Sequence, residues 1–140
     1  MTFMKKFVYL LLGCFLLLGC NETDDSPINN LKTCSANQAC TEIFVSLTFT
    51  PRGLNGQTIS LDSFYTQNLD NGNTYSIQNS LLDQEDTYTV VTDNELTEIN
   101  MNGTNLRFFG LIGNQIVVQQ DFVVGHDCCH VTSISGPFNE

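Results

Sequence analysis

At 140 residues, with fifteen acidic side chains against five basic ones and a formal charge of −10 at pH 7, the chain has room for one domain with a real core and too little for two. The charge is unevenly spread: the part from Cys20 onward holds all fifteen acidic residues and only Lys32, Arg52 and Arg107 of the basic ones, a formal −12. Such a surface repels nucleic-acid phosphates and anionic lipid and offers no basic footprint, which excludes nucleic acid as a partner.

Lys5 and Lys6 precede an uncharged apolar run from Phe7 to Gly19, the basic and apolar parts of an export signal. Thirteen residues at about 1.5 Å each give a helix of roughly 20 Å, short of the roughly 30 Å hydrocarbon core, so a transmembrane span is not expected. The run closes in Leu17-Leu18-Gly19-Cys20, which resembles the lipobox of bacterial lipoproteins. That resemblance implies cleavage before Cys20 and lipidation of its sulfur, with acyl chains such as palmitate holding the protein to a membrane. Leu11-Leu12-Gly13-Cys14 is a weaker copy, and cleavage there would leave Phe15 to Leu18 as an apolar tail. The following Asn21-Glu22-Thr23-Asp24-Asp25-Ser26 resembles the acidic leader that sends lipoproteins of the Bacteroidota to the outer face of the outer membrane. The expected location is therefore a lipid-anchored, surface-exposed one, with the periplasmic face as the alternative. The expected organisation is a signal peptide at 1–19, a flexible acidic tether at 20–33 and a β-domain at 34–140.

With Cys14 removed and Cys20 lipidated, Cys34, Cys40, Cys128 and Cys129 remain. An even number in an exported domain predicts disulfides. A Cys128–Cys129 bridge would need a strained vicinal ring, because adjacent Cα atoms lie about 3.8 Å apart. Two end-to-end pairings stay open: Cys34 with Cys129 and Cys40 with Cys128, or Cys34 with Cys128 and Cys40 with Cys129.

Alternating apolar residues predict a first strand over Cys40 to Thr50, with Ile43, Val45, Leu47 and Phe49 on one face. After the Pro51 to Gly56 loop, Gln57 to Gln67 reads as a strand with Ile59, Leu61, Ser63 and Tyr65 in phase and Phe64 facing away. Asp70-Asn71-Gly72-Asn73 is a tight turn, followed by strands over Thr74 to Gln78 and Asp86 to Thr92. Asp93 to Ile99 reads as a short helical or irregular crossover, with Asp93 as the cap of a helical turn carrying Leu96 and Ile99; a short edge strand is the alternative. Strands over Asn105 to Leu111, Gln115 to Val124 and Cys129 to Ile134 complete the chain, with Gly113-Asn114 a hairpin turn. About seven short strands and no long helix predict an all-β, two-sheet β-sandwich. Phe44, Phe49, Phe64, Tyr65, Tyr75, Tyr88, Phe108, Phe109 and Phe122 are the candidates to fill it.

Gly125-His126-Asp127-Cys128-Cys129-His130 is the densest polar cluster. On a strand it would put His126, Cys128 and His130 on one face, a candidate metal site with Cys34 or Cys40 as a further ligand. The same spacing suits two disulfides beside packed histidines, and no cofactor is expected. A hydrolase using His126 or His130 as base has no thiol clearly left over to serve as nucleophile. Asp62, Asp70, Asp83, Asp86 and Asp93 lie in or near loops without an EF-hand pattern, so an Asx-rich turn outweighs a calcium site. Phe64, Tyr65, Tyr75 and Tyr88 are candidates for a sugar or peptide surface, with at least half expected in the core.

Ala39-Cys40-Thr41, Leu61-Asp62-Ser63-Phe64-Tyr65 and Asp127-Cys128-Cys129-His130-Val131 followed by Ser135-Gly136-Pro137 together resemble small lipoproteins of the Bacteroidota. The resemblance implies location and an immunoglobulin-like or prealbumin-like sandwich, and it implies no catalytic residues. The expected function is that of a lipid-anchored, non-catalytic envelope module binding an envelope protein or a glycan. A structural role in an envelope assembly is the first alternative, and a metal-binding protein or hydrolase using the His126–His130 region the second.

Overall fold

The computed structural model describes residues 34–35, 37–76 and 86–139. Seven strands form two sheets, and the two-sheet β-sandwich is confirmed. In the smaller sheet β1 (Ser46–Phe49) runs antiparallel to β4 (Tyr88–Thr92). The larger has the order β3-β2-β5-β6-β7, built from β2 (Ser63–Asn68), β3 (Thr74–Tyr75), β5 (Thr104–Ile112), β6 (Gln115–His126) and β7 (Val131–Ser135), every neighbouring pair antiparallel. Among the described residues no helix is long and apolar enough to cross a membrane.

The core lies between the sheets and is aromatic. Phe49 from β1 sets its ring edge-on to Phe108 of β5 at 5.5 Å and to Phe122 of β6 at 5.3 Å, tying the two layers together. Phe64 stacks on Phe108 and meets Tyr88 edge-on, while Val90, Val91, Leu106, Val124 and Val131 fill the remainder. These T-shaped and offset contacts satisfy the ring quadrupoles as well as burying area. The C-terminal segment seals one side: Phe138 packs on Phe122, and the Asn139 N–H donates to the Thr48 carbonyl at 2.9 Å.

The two alternations of the larger sheet decide what faces outward. In β5, Thr104, Leu106, Phe108 and Gly110 are buried while Asn105, Arg107, Phe109 and Leu111 face away. In β2 the inward residues are Phe64, Thr66 and Asn68, so the expected phase is reversed: Ser63 and Tyr65 point outward and Phe64 packs on the core. The reason is that the strand starts only at Ser63, after an irregular approach in which Leu61 still packs inward. The proposed core aromatics Tyr65 and Phe109 therefore lie outside it, and Phe44 is 53% exposed. The first strand is also shorter than its pattern, because Cys40 to Val45 is held by a disulfide and by side-chain bonds instead of a ladder.

Turn chemistry matches the sequence where it was strongest. Gly72 and Gly113 both take left-handed φ values, 81° and 58°, in the β2–β3 and β5–β6 turns, conformations that cost a glycine nothing. The crossover Asp93–Glu98 is a 3-10 helix, but its N-cap is Thr92, which accepts from Asn94 N–H while Glu95 reaches back to the Thr92 N–H in a capping box. That leaves the Asp93 carboxylate available for other work. The expected strand over Thr74 to Gln78 extends into residues outside those described, as does Asp83.

Candidate functional site

Two regions concentrate chemistry: the corner beyond the end of β6, and the outer face of the larger sheet. At the corner β6 ends at His126 and the chain bends through Cys128–His130 before β7, so strand alternation does not apply and the expected common face of His126, Cys128 and His130 is not formed. Asp127 organises the bend, its Oδ1 accepting the N–H groups of Cys129 at 3.0 Å and His130 at 2.8 Å. Those two amide bonds hold its carboxyl below the usual range. Cys128 has φ of 83°, a left-handed conformation rarely adopted by a residue with a Cβ. Its N–H donates to His126 Nδ1 at 2.9 Å.

This bend lets two adjacent cysteines reach two separate partners. Cys34 pairs with Cys128 and Cys40 with Cys129, at Cα separations of 5.5 and 5.3 Å, near the centre of the range that a disulfide spans. Of the two end-to-end pairings, the second is the one formed. The chain entering the domain is thus fastened twice to the β6–β7 connection.

The two histidines go to different neighbours. His130 Nδ1 lies 2.8 Å from Asp93 Oδ2, and its Nε2 lies 2.9 Å from the Thr41 hydroxyl. Asp93 also accepts the backbone N–H of Val45 on Oδ2 and of Val131 on Oδ1, each at 2.8 Å. One carboxylate thereby joins the approach to β1, the 3-10 helix and the start of β7. Burial pushes its pKa up, but the His130 hydrogen bond, the two amides and the His130 charge outweigh that and hold it below the ordinary carboxylate range. Neither Thr41 nor this role of Asp93 is legible in the sequence, since its amide partners lie 48 and 38 residues away.

His126 instead sits with Cys34 and Cys128; their ligand atoms all lie within 4.8 Å of one another. Beside them opens a cleft of about 670 Å³ lined by Met101, Asn102, His126, Asp127, Cys128, Thr132 and Ile134.

Of the loop aspartates proposed above, Asp62, Asp70 and Asp86 each have a partner. Asp62 accepts from Gly113 N–H, Asp86 from the Thr58 and Ser60 hydroxyls, and Asp70 from Asn105. In the Asp70–Asn73 turn the Asn71 and Asn73 amides donate to Glu98, as does the Tyr75 hydroxyl. Burial, with Glu98 nearby, pushes Tyr75 up to about 12.

The outer face of the larger sheet carries a different set. Tyr65 and Phe109, directly opposite one another in the β2–β5 ladder, stack with ring centroids 4.8 Å apart and planes 22° apart. The same row continues to Gln119 on β6. The next row on this face is Gln67, Arg107 and Asp121, where the Arg107 guanidinium forms a two-pronged ion pair with Asp121, Nη2 to Oδ2 at 2.9 Å. Of the four aromatic candidates for a binding surface, Phe64, Tyr75 and Tyr88 belong to the interior and Tyr65 to this face.

Against family models, curated proteins and solved structures, the chain finds no match.

Proposed function

We propose that the protein is a lipid-anchored, non-catalytic binding module of the outer-membrane surface, tethered through Cys20, whose contact surface is the outer face of the larger sheet and whose ligand is a neutral glycan. The observation that carries this reading is the stacked Tyr65–Phe109 pair set beside the Gln67, Arg107 and Asp121 row. Neither ring belongs to the core cluster, and both stand part-exposed on the outer face, where their stacking is worth about 0.5–1.5 kcal/mol to the fold. An aromatic face packs on the C–H face of a pyranose, and amides with a fixed ion pair supply donors and acceptors for the flanking hydroxyls. The formal −12 of the exported chain disfavours acidic polysaccharides. Binding of neutral polysaccharides by the soluble domain, followed by calorimetry and by retention in affinity gels, tests it. Tyr65→Ala and Phe109→Ala should each abolish retention while the protein still unfolds cooperatively, with a loss of about 1 kcal/mol from the broken stack. Retention that survives both substitutions, or none for any glycan while cross-linking on whole cells captures a protein through this face, refutes the glycan assignment.

A second reading is favoured by the Thr41–His130–Asp93 chain, whose order of hydroxyl, imidazole and part-buried carboxylate is that of a nucleophile, its base and the group that orients the base. In that reading His130 Nε2 takes the Thr41 hydroxyl proton as the oxygen adds to an ester carbonyl, then returns it to the leaving alcohol. Thr41→Val removes the hydroxyl and keeps the shape. Hydrolysis of a nitrophenyl ester that falls to background in this variant would establish the reading, and equal rates in both proteins would dismiss it.

A further inference from the structure

The Cys34–Cys128 disulfide lies against an imidazole that no strand ladder needs. Both sulfurs and a ring nitrogen of His126 fall within 4.8 Å of one another. Around a tetrahedral zinc ion, with Zn–S about 2.3 Å and Zn–N about 2.0 Å, ligand atoms stand roughly 3.5 Å apart. The three donors are already gathered to nearly that spacing, and opening the S–S bond lets the sulfurs part to it. In the oxidised protein the lone pair of His126 Nδ1 accepts the Cys128 N–H at 2.9 Å, and the neutral ring coordinates through that same lone pair, the cation replacing the amide as its partner. His130 is not a competing ligand, being engaged by Asp93 and Thr41.

Access and persistence of the fold both favour such a site. Cys34 is exposed, and the adjoining cleft of about 670 Å³ brings solvent to His126 and Cys128 with Met101 and Asp127 on its wall. A fourth position can thus be filled by water or by a side chain of the cleft. When Cys34–Cys128 opens, Cys40–Cys129 still joins residues 89 apart in sequence, almost the 94 of the opened bridge. The domain therefore stays closed while two thiols are freed.

We infer that this corner is a reductively opened site for a thiophilic d¹⁰ cation, Zn²⁺ or Cu⁺, with Cys34, Cys128 and His126 as its protein ligands. The inference is independent of glycan binding. A dithiol reductant, such as an exported protein with a Cys-x-x-Cys pair, supplies the two electrons and two protons: its own sulfurs become a disulfide as Cys34 and Cys128 become thiols. The cation then displaces one proton from each thiol and takes the lone pair of the neutral imidazole. Thiolate ligands and a borderline nitrogen suit these ions over calcium or magnesium.

The test uses the purified exported chain under anaerobic conditions, before and after treatment with a dithiol, with Co²⁺ as a spectroscopic probe and Zn²⁺ and Cu⁺ in separate competition arms. The oxidised protein should show no thiolate-to-cobalt charge-transfer band. The reduced protein should bind one equivalent with release of two protons, and bound metal should shield Cys34 and Cys128 from alkylation read by mass spectrometry, while Cys40 and Cys129 stay joined and unlabelled with or without metal. His126→Ala should weaken affinity at least about tenfold, while His130→Ala should leave it unchanged. Absence of binding by the reduced protein, equal affinity in His126→Ala, or labelling of Cys34 and Cys128 as complete with metal as without it would overturn the inference. Zn²⁺ retained against a chelator that strips Cu⁺, or the reverse, identifies the ion.

Discussion

Replacing Cys34 and Cys128 by serine, or Cys40 and Cys129, should cost much less than half of what replacing all four costs. Taken alone, each bridge closes a loop with a sequence separation of 94 or 89, worth about 4.6 kcal/mol on the chain-entropy model. Once either is in place, the other closes only the short circuit through Cys34 to Cys40 and Cys128 to Cys129, about nine residues, worth about 2.5 kcal/mol. Each pair variant should therefore lose about 2.5 kcal/mol and the quadruple variant about 7 kcal/mol, leaving a coupling of roughly 2 kcal/mol between the pairs. Urea unfolding of the purified protein measures all four species. With an m-value of about 1–3 kcal/mol/M, each pair variant shifts the midpoint by about 1–2 M and the quadruple variant by more than twice as far. Because a domain of this size has only about 5–15 kcal/mol in hand, the quadruple variant should stand near the edge of folding. Costs that simply add, with the quadruple equal to the sum of the two pairs, would refute the shared-loop reasoning.

Asp93→Ala orphans two backbone N–H groups and the His130 ring, and should cost about 3 kcal/mol at pH 7. Since the folded Asp93 carboxyl lies below its ordinary value, its contribution is complete above the unfolded pKa of about 3.9 and is lost as pH falls through the folded one; the gap between wild type and variant should close in acid, and a gap constant down to about pH 2 would count against this. Gly125→Ala puts a Cβ 2.7 Å from the Met101 carbonyl oxygen and 2.8 Å from Ile134 Cδ1, and should lower stability by about 2–3 kcal/mol, whereas Gly113→Ala, with nothing within 4 Å but a φ of +58°, should cost about 1 kcal/mol; thermal unfolding ranks them. Thr66 is 1% exposed and its hydroxyl has no partner among the described residues, so Thr66→Val should raise stability by about 1 kcal/mol, and a loss of that size would show that the hydroxyl is satisfied.

What the sequence disclosed were the features set by local chemistry. Asn71-Gly72 and Gly113-Asn114 form turns because positive φ is cheap there, and β5 and β6 lie within two residues of their expected bounds at each end. The even cysteine count led to the right four cysteines but left two pairings open, of which Cys34–Cys128 with Cys40–Cys129 is the one formed, around a left-handed Cys128. Alternation failed where a non-local partner replaces the ladder. Val45 gives its N–H to Asp93, Cys40 is bound to Cys129, and His130 turns to Asp93 and Thr41, so the stretches around them resemble strands in composition while the chain takes another course. For the same reason the stacked Tyr65–Phe109 pair was hidden: a one-residue change of phase in β2 moves Tyr65 from the core to the open face.

The double fastening of Cys34 and Cys40 also fixes how the domain bears mechanical load. A pull on the chain preceding Cys34 is not delivered first to β1, a four-residue strand at the rim of a two-stranded sheet. It passes through a covalent bond to Cys128, in the connection between β6 and β7. There the load meets the twelve-residue β6, hydrogen-bonded on both flanks to β5 and β7. Tension is thus spread across two ladders at once, and while the bridges are oxidised the smaller sheet is spared. In a flowing or abrasive setting the corner acts as a strain relief, and reduction of both bridges would hand the same tension to the short β1–β4 pair.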